Sequence, residues 1–114
     1  MRTPPFSRER RLVKEYDVFV PLKYNDGTDI EASRLLAIQT FLLEHFDGLT
    51  FFPQPNEGFW TMGGVTYRDE IVIYRVLAAN TRAARRQLRV LKQQLIETLQ
   101  QEEILIVERD VETL

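Results

Sequence analysis

The chain of 114 residues contains no cysteine, a single histidine and a single tryptophan. Without cysteine, disulfide staples, thiolate catalysis and thiolate metal sites are excluded. One histidine, His45, has no second imidazole or thiolate with which to complete a typical zinc site, so no metal is expected. No apolar run approaches the roughly 20 residues of a membrane helix. The basic beginning, MRTPPFSRERRLVK, lacks the apolar core of a secretory signal. There is no glycine-rich phosphate loop, nucleophile elbow or paired-ligand motif, so neither a cofactor nor a catalytic machinery is expected. The net charge of −2 shows no overall bias toward an acidic or basic partner. A soluble, cytoplasmic, single-domain protein is the expectation, with a core large enough to need no staples.

The first 14 residues carry Arg2, Arg8, Arg10, Arg11 and Lys14 against Glu9. They read as a flexible basic arm ahead of one domain at residues 15–114; an anion-binding arm is the sharper alternative. From 15 to 24, Tyr16, Val18, Val20 and Leu22 alternate with Asp17, Phe19, Pro21 and Lys23, a strand pattern that Pro21 should close. Asn25-Asp26-Gly27 makes a turn. Thr28 and Glu31 have capping-box spacing, so a helix is expected from there to about Phe46, with Leu35, Ile38, Leu42 and Phe46 inward and Phe41 and His45 at the rim.

Residues 48–77 hold four of the five glycines, two of the five prolines and Trp60. They read as a short strand at 49–52, a long turn-rich connection around residues 53–64, and a strong strand from Val65 to Leu77 that is apolar on both faces. A second helix begins at Asn80 or Thr81 and runs to about Gln101, with Ala84, Leu88, Leu91, Leu95 and Leu99 in one stripe. A last strand spans 103–111. The order β-α-β-β-α-β, with short right-handed connections, points to a ferredoxin-like α+β sandwich: a four-stranded antiparallel sheet with both helices on one face.

Gly48-Leu49-Thr50, Gly58 with Trp60, Glu70 leading into Val72-Ile73, and Gln101-Glu102 leading into Ile104-Leu105 together resemble a family of small, mostly bacterial proteins catalogued as a domain of unknown function. The resemblance covers about residues 16–109. It implies the βαββαβ fold and brings no activity with it.

Two groups of residues are candidates for function. In and after the connection, Glu57, Trp60, Tyr67, Arg68 and Glu70, with Asn56 and Asp69, combine carboxylates, aromatics and an arginine able to hold or protonate a small molecule. The same residues also suit an ordinary solvated start to a strand, with Trp60 covering the core. On the second helix, Arg82, Arg85, Arg86, Arg89 and Lys92 form a basic face of like-charge neighbours, which costs local stability. The chain's own acids or an external anion would offset that cost. A solvated face is the plainer reading, nucleic acid is not the expected partner, and any such binding should be weak and salt-sensitive.

The leading expectation is a non-enzymatic interaction domain that forms a homodimer. A sheet covered on one face by two helices leaves apolar residues on the other. Burying about 1,600 Å² against a twofold mate would remove that patch. The alternative is a small-molecule-binding domain or enzyme with its pocket between the sheet and residues 53–64. Glu57, Tyr67 and Glu70 around a concavity would favour the alternative; a flat, dry apolar face would favour the dimer. Trp60 is expected to be more than half buried and to pin the connection.

Overall fold

The computed structural model describes residues 11–79 and 81–114. Its elements are β1 (Arg11–Pro21), α1 (Ala32–His45), β2 (Gly48–Met62), β3 (Val65–Ala78), α2 (Thr81–Thr98) and β4 (Ile106–Thr113). The strands form one antiparallel sheet in the order β2-β3-β1-β4. Chain order βαββαβ with this strand order is the ferredoxin-like α+β sandwich.

Alternation sets the two faces. Tyr16, Val18 and Val20 of β1 point to the helices together with Val72, Tyr74, Val76 and Ala78 of β3, and all are buried. They meet Ile38 and Leu42 of α1 and the full stripe Ala84, Leu88, Leu91, Leu95 and Leu99 of α2. Ile104, just ahead of β4, completes this core at 1% exposure. Such a 3.6-period stripe over a period-two sheet face is what drives the layers together.

Several boundaries differ from the sequence reading for identifiable reasons. β1 begins at Arg11, so residues 11–14 belong to the sheet, paired with β4, and the rest of the expected arm lies outside the described residues. The capping box does not form. Thr28 turns back to Asp26, with Oγ1 and N donating to its carboxylate at 2.6 and 2.9 Å, and Glu31 caps α1 by backbone geometry alone. α1 therefore starts three residues late, at Ala32.

The largest difference concerns residues 53–64. They are not a loop. β2 runs through them, and its register shifts between Phe52, opposite Ile73, and Asn56, opposite Ile71. Pro53 and Pro55 fall in that bulge of an edge strand, where their missing N–H groups break no ladder bond. Beyond it Asn56–Met62 pairs with Val65–Ile71 around Gly63-Gly64, whose φ angles of 57° and 79° make the mirror-image hairpin turn open to glycine. Because β1 stops at Pro21, opposite Ile71, this pair projects past the sheet as a two-stranded ribbon about 20 Å long.

Candidate functional site

The ribbon projects from the end of the sheet where β1 finishes and β4 has yet to begin. At that end Leu22 N–H donates to the Glu70 carbonyl at 2.9 Å, and Asn25 Nδ2 donates to the Gln100 carbonyl at 3.0 Å. These bonds bring three separate segments together: the β1–α1 loop, the α2–β4 loop and the foot of the ribbon. Between them lies a groove of about 880 Å³. Its walls are Phe59, Trp60, Met62 and Tyr67 of the ribbon, Phe19 and Pro21 of β1, Tyr24 of the first loop, and Ile104 and Leu105 of the last. Polar groups at its rim are Lys23, Arg68, Asp69, Glu70, Glu102 and Glu103.

Four of the five ribbon candidates border the groove, Trp60 and Tyr67 from one face of the ribbon and Arg68 and Glu70 from the other. Glu57 does not. Its carboxylate accepts from Arg68 Nη2 at 2.5 Å, on the face of the ribbon opposite Trp60 and Tyr67, and that pairing raises the Arg68 pKa. Trp60 is more than half buried, as expected, but it packs against its own strand rather than the core. A Cβ at Gly58 would come within 3.1 Å of the indole, so the glycine leaves the ring room to lie flat. Phe59 and Tyr67 are 60% and 48% exposed, unusually open for aromatics in a strand pair.

Charges around the groove do not balance. Arg68 is taken up by Glu57, and Glu103 by Lys92 at 3.0 Å. That hydrogen bond from Lys92, with one from the Ile104 N–H, holds the Glu103 carboxyl below its ordinary value. Lys23 is the one other cation among the lining residues, against Asp69, Glu70 and Glu102. The groove is thus aromatic and carries surplus negative charge.

The face of the sheet away from the helices is neither dry nor purely apolar. Asp17 sits there, buried at 4% exposure, with Arg75 on one neighbouring strand and Arg109 on the other. Arg75 donates to both carboxylate oxygens at 2.8 and 3.0 Å, and Arg109 Nη2 donates at 2.5 Å. Glu15 accepts from Arg109 Nε at 3.1 Å. Burial pushes the Asp17 pKa up, but the two guanidiniums outweigh it and hold the carboxyl below its ordinary value. Arg75 also lies 5.1 Å over the Phe52 ring. Around this cluster Phe52 and Leu105 are exposed, while Ile71 is buried.

On α2 the five basic residues divide. Arg85 is held by the Glu108 carboxylate at 2.8 Å and Lys92 by Glu103, so the chain's own acids neutralise two of them. Arg82, Arg86 and Arg89 form no ion pair among the described residues and line an open groove with Val90, Gln93, Gln94 and Glu97. Glu108 also accepts from the Tyr16 hydroxyl at 2.7 Å. Burial first, then that carboxylate, push the Tyr16 pKa to about 12. His45 is exposed, stacked on Phe41 with ring centroids 4.2 Å apart.

Sequence reasoning missed the Asp17 cluster and the contribution of residues 23–27 and 101–105 to the groove. The first had a signal: acids on β1 flanked, once strand order is assigned, by arginines on both neighbours. The second had none, since those loops meet only in the folded chain.

No protein-family profile and no curated protein matches this sequence. The chain is similar in fold to a solved structure of a phage SAM lyase in complex with S-methyl-5'-thioadenosine. The two share 12% identity over 88% of each chain, with a TM-score of 0.65.

Proposed function

We propose that the chain is a small-molecule-binding domain whose ligand enters the groove at the foot of the ribbon. The ligand class is one with a planar aromatic part and a cationic centre, as in S-adenosylmethionine. The observation that carries this reading is the groove's makeup, exposed aromatic side chains beside surplus carboxylates. Ring faces attract onium groups, and uncompensated carboxylates strengthen that attraction in a partly enclosed site. The phage SAM lyase of similar fold, solved with an adenosine thioether, supports the size of ligand chosen.

Trp60 is the only tryptophan and sits in the groove wall, so its emission reports occupancy directly. Titration with S-adenosylmethionine should give a saturable change. S-adenosylhomocysteine, which lacks the sulfonium charge, should bind about tenfold more weakly, a difference of about 1.4 kcal/mol. No saturable change with either compound at millimolar concentration would overturn the reading.

A second reading keeps the chain as a non-enzymatic homodimer joined through the open sheet face. The exposed Phe52 and Leu105 favour it. The Asp17 cluster at the centre of that face counts against a dry interface, because desolvating charges is costly even when they are paired. Sedimentation of a 13.4 kDa monomer at micromolar concentration would remove this second reading.

A further inference from the structure

α2 concentrates positive charge on one helix. Between Thr81 and Thr98 there are five basic residues and one acid, Glu97, a local excess of +4 in a chain whose net charge is −2. No acidic residue occupies the first turn, where the helix dipole would favour one, and Arg82 stands there instead. Arg82, Arg86 and Arg89 follow the spacing i, i+4, i+7, so all three lie along one line of the helix surface. They are exposed and unpaired among the described residues, although the chain carries 17 acids.

We infer that this arginine line is a docking strip for the phosphodiester backbone of duplex nucleic acid, read without regard to base sequence. From Arg82 to Arg89 the helix rises about 10 Å, or about three phosphate steps at about 3.4 Å of duplex axis each, so the three guanidiniums span a run of four phosphates of one strand and can each reach one of them. Arginine rather than lysine fills all three positions, and its planar fork is the side chain that takes phosphate oxygens in pairs. The neighbouring Gln93 and Gln94 add neutral hydrogen-bonding groups to the same groove. The strip has no aromatic residue, which separates it from the stacking platforms that bind single strands. Val90 is its single exposed apolar side chain, too little to anchor a folded acidic protein, whose binding energy would come from large buried anchors. Arg85 and Lys92 flank the line but are already neutralised by Glu108 and Glu103.

The test uses the full chain and a fluorescent 20-base-pair duplex of mixed sequence, with anisotropy read between 50 and 200 mM salt. Three phosphate contacts predict a log–log slope of about −2.7, a loss of about 40-fold in affinity across that range. Arg82→Gln, Arg86→Gln and Arg89→Gln together should bring the slope close to zero. The matching triple lysine variant, which keeps charge, should retain it and shows that loss in the glutamine variant is not a folding defect. An unchanged slope in the glutamine variant would place binding elsewhere and overturn the inference. So would absence of binding at 50 mM salt with about 100 μM protein, at the weak end of non-specific affinities. Tighter capture of polyglutamate than of the duplex would overturn the phosphodiester assignment.

Discussion

Replacing Asp17 with asparagine probes the most unexpected arrangement in the molecule. The carboxylate is buried, yet it accepts three hydrogen bonds from two arginines on opposite neighbouring strands. Asparagine keeps the shape but offers one acceptor oxygen, and it turns an N–H₂ group toward a guanidinium that can only donate. Arg75 and Arg109 would then share Glu15 alone, at 3.5 and 3.1 Å. Removing one partner of a fully buried pair costs about 3–5 kcal/mol. Both arginine side chains are more than a third exposed, so water relieves part of that, and about 2–3 kcal/mol is expected. For a domain of this size the melting temperature should fall by about 10 °C at pH 7.

The pH dependence supplies the sign. The folded-state pKa of Asp17 lies below its unfolded value, so the ionised group stabilises the fold above about pH 4 and its contribution is lost as pH falls through the lower folded value. The gap in melting temperature between the native chain and Asp17→Asn should therefore close as the pH falls below about 4. Thermal unfolding followed by circular dichroism measures both effects. A shift under 2 °C at pH 7, or a gap that stays constant to the acid limit, would refute the reasoning; both thresholds are set by the conversion of about 4 °C per kcal/mol.

Tyr16 should produce the opposite limb. Its folded pKa is raised to about 12, so its contribution holds below about pH 10 and about 2–3 kcal/mol is lost as pH climbs to 12; Tyr16→Phe should flatten that loss in alkaline unfolding curves. Gly64→Val puts a β-branched residue at a φ of 79° and should cost about 1–2 kcal/mol, seen as faster hydrogen exchange in the ribbon with β1 amides unchanged. Trp60→Ala should cost only about 1 kcal/mol, since the ring lies on Gly58 outside the core, whereas Leu42→Ala, at a fully buried position, should cost about 2–5 kcal/mol. Equal destabilisation by these last two in urea unfolding would show that the ribbon is part of the core after all.

Much of the fold can be read from periodicity. The stripe from Ala84 to Leu99 is the buried face of α2, and the alternation in β1 and β3 assigns the strands correctly. Composition misleads where a local competitor wins. Thr28 has the spacing of a helix cap, but Asp26, two residues away, captures its hydroxyl and amide first. Pro53 and Pro55 look like the end of a strand, yet on an edge a bulge absorbs both and pairing resumes. The charges of Glu15, Asp17, Arg75 and Arg109 look like the wet side of each strand taken alone. Only the register, Asp17 opposite Arg75 and Glu15 opposite Arg109, turns them into a cluster. Of the groove, the ribbon half was legible as an aromatic and acidic group. The other half comes from loops about 80 residues apart, which no local pattern links.

The account rests most heavily on the groove as a ligand site. Two-dimensional NMR of the labelled chain during titration with S-adenosylmethionine tests it most directly. Saturable shifts should appear at the Trp60 indole N–H and at the amides of Tyr67, Asp69, Glu70 and Leu105, with the outer face of α2 unmoved. Shifts confined to residues outside the groove, or none at millimolar ligand, would contradict it.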